Sequence, residues 1–146
     1  LPGGVVALGT DTLTGPDTPE VAAGAILSAQ QAQAAENPLH AALAWAGSGA
    51  ALTLLTTGDL PAERLRGYGE VVLSHPPAIA HGEAQTETLL EAFRATGVSS
   101  TPYAYAIDPT GEAALGLIEA DPFRGAPAPE PVLADDQWLA LKDICS

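Results

Sequence analysis

Apolar and polar positions alternate most clearly between Thr101 and Ile118. There Tyr103, Tyr105 and Ile107 interleave with Ala104 and Ala106, and Leu115 and Leu117 resume the two-residue period of a strand. Between the two runs, Asp108-Pro109-Thr110-Gly111 offers Pro for the φ of a type I turn and Gly for its exit. The pattern predicts a β-hairpin. Upstream, Ala51 to Thr57 is an apolar run rich in Thr that reads as a strand, broken by Gly58-Asp59-Leu60-Pro61. Glu70 to Ser74 reads as a second strand, ended by His75-Pro76-Pro77, which removes two ladder donors.

Helical spacing marks the ends of the chain. Asp17-Thr18-Pro19-Glu20 combines an N-cap residue, Pro in the first turn and Glu three residues after Asp17, so a helix is predicted from here to about Ala35. Val21, Ala25 and Ile26 give it only a narrow apolar side. Asn37-Pro38 restarts the pattern, with Leu39, Ala42, Leu43 and Ala46 on one face and Gly47 as the stop. Asp135 caps a last helix over Gln137 to Ile144, with Trp138, Leu141 and Ile144 at spacings of three. Ala84 to Phe93 fits both periods, as a helical face through Leu89, Ala92 and Phe93 or an alternation through Thr86, Thr88 and Leu90. Val5 to Leu8 is a short apolar run in a Gly- and Thr-rich lead.

These readings divide the chain into an N-terminal arm and helix over residues 1–36, a β-rich core over 37–122, and a Pro-rich linker with a terminal helix over 123–146. At 146 residues there is room for one sizeable core. The expected architecture is mainly β: a small antiparallel β-sandwich with a helical arm at one end and a short helix at the other.

Charge narrows the partners. Five basic against 18 acidic residues give a formal charge of −13, which repels nucleic acid and anionic lipid surfaces. No apolar run reaches the roughly 18 residues of a membrane span, and the N-terminal stretch lacks the basic flank of a signal peptide, so a soluble chain is expected. A single Cys145 excludes an internal disulfide and any Cys-x-x-Cys site.

Candidate chemistry is sparse. His75, His81 and Glu83 cluster in sequence, but their spacing matches no helical or hairpin ligand set, and loop histidines beside Pro76-Pro77 account for them. Gly47-Ser48-Gly49 lacks the Gly-x-Ser-x-Gly elbow, and Ser99-Ser100 read as loop polarity before Thr101-Pro102, with no helix start after them. Neither glycine cluster, Gly3-Gly4 or Gly47 to Gly49, follows a phosphate-binding pattern. No catalytic, cofactor or metal residue is therefore assigned. Trp138, Leu141 and Ile144 on the terminal helix, with Val21 and Ile26 on the first, are the candidate subunit-interface residues. Trp138 has two positions open to it, in the chain's own core or on a neighbouring subunit.

Two resemblances bear on function. The order of Asn37-Pro38-Leu39, ALTLLTTGDLPA, EVVLSHPPA and RATGVSSTPYAYAIDPTGEAALGLIEAD, over roughly residues 37 to 121, resembles a small β-rich family of virion structural proteins in tailed bacteriophages and gene-transfer particles. That resemblance implies a non-enzymatic homo-oligomer bound to the major capsid protein or other virion subunits, with no catalytic residue and no small-molecule substrate. Combined with the acidity, it implies capsid decoration or cement on the outer head surface, reached from the host cytoplasm; a tail or collar component is the alternative within the particle. The second resemblance is to thioredoxin-like α/β folds, in which GVSSTPYAYAIDPTGEAALGLI would be the strand entered by a cis Pro102. Without a Cys after the first strand, such a domain would be a redox-inactive binding scaffold. An uncharacterised hydrolase is third, since catalytic triads assemble in space rather than in sequence.

Overall fold

The computed structural model describes residues 6, 8–35, 38–58, 62–74, 83–127 and 129–144. Among them the regular structure is entirely helical, and the expected β-sandwich is not formed. The helices are α1 (Thr10–Thr14), α2 (Pro19–Ala35), α3 (Pro38–Ala46), α4 (Ser48–Thr57), α5 (Ala62–Ser74), α6 (Glu83–Thr96), α7 (Thr101–Ile107), α8 (Leu115–Glu119) and α9 (Asp135–Ile144). No described peptide bond is cis and no sheet is present, so the thioredoxin-like alternative is overturned with the sandwich.

Each predicted strand fails for a local reason. Ala51 to Thr57 lies in α4, where Ala and Leu favour helix and the threonines remove their own polar conflict. The hydroxyls of Thr53, Thr56 and Thr57 donate to the carbonyls of Gly49, Leu52 and Thr53, at 3.0, 3.0 and 2.8 Å. Gly58, at φ +77°, then closes the helix by donating its N–H to Leu54 O. Glu70 to Ser74 is the last part of α5. Ala84 to Phe93 resolves as helix, burying Leu89, Leu90 and Phe93 at spacings of one, three and four. In the expected hairpin, neighbours Tyr103 and Ala104 are both buried while Tyr105 is 49% exposed, a distribution that a two-residue period forbids and a helix requires. The turn chemistry does hold: Asp108 accepts hydrogen bonds from the N–H and hydroxyl of Thr110 and the N–H of Ala113, and Gly111 takes φ +75°. Its flanking elements are α7 and α8 instead of strands.

The chain forms two compact units. The first comprises Leu1–Ala7 and Ala32–Pro77. Here α3 packs against α4 and α5, and Trp45 meets Tyr68 with ring centroids 5.7 Å apart. Gly67 lets the indole approach, since a Cβ there would lie 3.3 Å from it.

The second unit comprises Leu8–Gln31 and Ala78–Ser146 and holds the main core. Leu89, Leu90 and Phe93 of α6 meet Val98, Tyr103 and Ala104, and Ala114 and Leu117 close the cluster. Ala23, Ala25 and Leu27 of α2 pack against it. Tyr103 is the bridge: its ring lies 6.0 Å from that of Phe93, its hydroxyl bonds Ser28, and its ring sits over Gly24. Burial pushes the Tyr103 phenol above its ordinary pKa, with the Ser28 hydrogen bond pulling it partly back.

Helix α9 begins at Asp135, not at Gln137, and its cap works from inside the helix. Gln137 Oε1 accepts the N–H of Ala134 at 3.1 Å, leaving Asp135 and Asp136 in the first turn, where the helix dipole favours negative charge.

A Cβ at Gly24 would stand 2.4 Å from Tyr103 Cγ. Gly24→Ala, which in an open helix would stabilise by about 1 kcal/mol, is expected here to destabilise by about 1–3 kcal/mol through overpacking. Urea unfolding monitored by helical circular dichroism checks the sign.

Candidate functional site

The densest polar cluster in the second unit is built by Ser99, Ser100 and Thr101, which lead into α7, and by Asp121, which follows α8. Contrary to the sequence expectation, a helix does start after Ser99-Ser100, and Pro102 occupies its first turn, where a missing N–H does no harm. The first N–H groups of a helix have no partner within it. Ser100, in the cap position, makes no side-chain cap. Asp121 takes over from a distance: it accepts the Thr101 N–H at 2.9 Å, the Ser99 hydroxyl at 2.6 Å and the Thr101 hydroxyl on the same oxygen. Its other oxygen accepts the Phe123 N–H at 2.8 Å.

Ser100 is freed to serve α8. Its side chain, fully buried, donates to Leu117 O at 2.6 Å, satisfying one of the C-terminal carbonyls that a helix leaves open. Arg124 Nη1 donates to Glu119 O at 3.1 Å and satisfies another. Two short helices are thus capped by side chains from outside themselves.

Asp121 is only 8% exposed. Burial alone would push its carboxyl up, but the hydroxyls of Ser99 and Thr101, with the N–H groups of Phe123 and Thr101, outweigh that effect and hold the pKa below the ordinary value. Above the cluster lies an open depression of about 370 Å³, lined by Glu20, Ser99, Thr101, Pro102, Asp121 and Phe123 among others. Every hydroxyl in it is already committed to a protein acceptor. No base stands ready to activate Ser99, because its partner is a carboxylate held in its ionised form by four donors.

The candidate interface residues fall in different environments. Trp138 is buried within the chain's own fold, with Lys142 Nζ 5.8 Å from its ring centroid and donating to Pro16 O at 3.0 Å. Leu141 and Val21 are half-buried. Ile144 is 80% exposed at the end of α9. Ile26 borders a shallow groove of about 590 Å³ with Leu27, Val98, Pro131 and Val132. Only Val132 N–H to Glu20 Oε1, at 3.4 Å, adds a polar tie along the Pro-rich strap.

Residues that sequence reasoning passed over carry the remaining surface features. Leu52 and Leu55 of α4 are 64% and 83% exposed, an outcome hidden by reading this run as a strand. Asp121 was expected merely to open the linker. His75 and His81 lie outside the described residues, and among the described residues no cluster of three metal-ligating side chains occurs. No described helix is long and apolar enough to cross a membrane.

No family model matches the chain, and neither the curated proteins nor the solved structures contain a match.

The depressed Asp121 pKa sets the sign of a pH effect. Its ionised form stabilises the fold above the ordinary carboxyl pKa of 3.8, and this contribution is lost as pH falls through the lower folded value. Asp121→Ala is expected to remove about 2–3 kcal/mol at neutral pH, and progressively less in acid. Urea midpoints measured at neutral pH and at a pH below the folded pKa check both statements.

Proposed function

We propose that this chain is a non-enzymatic helical assembly subunit that works by binding protein. One observation carries the reading: its convergent polar side chains cap its own helices, while large apolar side chains stay outside. Leu52, Leu55, Leu139 and Ile144 are each at least 60% exposed. The strong acidity supports a protein partner over nucleic acid or an anionic lipid surface.

A virion is the setting expected from the phage resemblance. That resemblance depended on an order of strands that the helical fold does not contain, so the particle setting now rests on acidity and exposed apolar surface. We keep it as the setting of the assembly proposal, with the outer head surface as the position that −13 favours.

A serine-directed phosphonate probe incubated with the folded chain is expected to leave Ser99 and Ser100 unlabelled, as read by intact mass and peptide mapping. Stoichiometric labelling of either would overturn the non-enzymatic reading. For the setting, purified particles from the source of this chain are expected to contain it in many copies; their mass spectra without it would remove the virion and leave the binding class standing.

A further inference from the structure

Charge is distributed unevenly between the two units. The second carries 14 of the 18 acidic residues and three of the five basic ones, a formal −11; the first carries four acidic residues with Arg64 and Arg66, a formal −2. Within the first unit, no Asp, Glu, Lys or Arg occurs between Glu36 and Asp59, so α3 and α4 are uncharged throughout. On α4, Ser48, Leu52, Leu55 and Thr56 follow the i, i+4, i+7, i+8 spacing of one face, and all four are exposed. The Thr56 hydroxyl is turned back to Leu52 O, so it presents its methyl side outward.

From this we propose that α4 is a self-association surface whose occupant is the same face of a second copy of this chain. The proposal rests on the assembly reading above and gives it a surface. Two acidic chains repel each other wherever carboxylates face carboxylates, and a symmetric contact doubles every mismatch. An uncharged leucine face is self-complementary: two copies meet there without desolvating a charge. A lipid surface fits less well, because the remainder of the chain is repelled by anionic headgroups. The ten-residue α4 is about 15 Å long, short of the roughly 800 Å² per partner of a standard interface, so the dimer is weak and reversible.

The electrostatics give the test a distinctive sign. Salt screens repulsion between the acidic units and leaves the apolar contact intact. Sedimentation equilibrium of the full chain, at about 10 µM to 1 mM and from about 0.05 to 0.5 M NaCl, is expected to show a monomer–dimer equilibrium that tightens several-fold with salt. Leu52→Glu combined with Leu55→Glu is expected to weaken it at least tenfold with helical circular dichroism unchanged. Leu55→Gln alone, a milder change at an exposed position, is expected to weaken it several-fold, and Leu139→Glu on α9 to leave it as it is. A monomer at every concentration and salt overturns the proposal, as does a dimer that both α4 variants leave intact or that Leu139→Glu dissolves. Binding of a monomeric wild type to phosphatidylcholine vesicles would overturn it in favour of lipid. None of these failures labels a serine, so the non-enzymatic reading is judged separately.

Discussion

The second unit turns on one carboxylate. Asp121 gathers the residues that begin α7 and fixes the chain that leaves α8, so the two helices are locked at the same end. Only with α7 held in that position does Tyr103 reach both Phe93 of α6 and Gly24 of α2. The apolar core is therefore aimed by a polar knot, and the knot is worth forming because each buried donor it satisfies would otherwise be stranded. The same commitment removes these groups from chemistry. A hydroxyl that caps a helix and a carboxylate that holds four donors have little left to offer a substrate.

What could be read from the sequence depended on the range of the interaction. Helix starts marked by Pro19 and Pro38 were legible, because Pro at a first turn acts locally. The Asp108 to Gly111 turn was legible for the same reason, since Asp108 bonds residues two and five positions away. The cap on α7 was invisible: its donor and acceptor are 20 residues apart, and nothing near Thr101 signals a helix once Asp121 is left out. Thr-rich α4 misled in another way. β-Branched residues favour strands on average, yet these threonines satisfy their hydroxyls on the helix's own carbonyls. Alternation of Tyr103 and Tyr105 with alanines was a coincidence of composition, because Ala is compatible with a buried or an exposed site and so cannot fix a period.

Acidity and apolarity are separated along the chain. The second unit holds most of the carboxylates and the better-formed core, whereas the first holds an uncharged helical pair with exposed leucines. A single domain that mixed the two would screen its apolar surface with charge on all sides. Here the segregation leaves a surface free for contact while the acidic unit keeps the chain dispersed, a division of labour suited to assembly.

The two tryptophans have ended up one in each unit: Trp45 is 43% exposed against Tyr68, and Trp138 is 4% exposed beneath Lys142. The buried indole N–H of Trp138 has no acceptor among the described residues, so that ring lies in an unusually apolar setting. Each half of the molecule thus contains its own optical reporter. Emission from the shielded ring lies to the blue of emission from the wetter one, so the spectrum itself distinguishes which half has come apart.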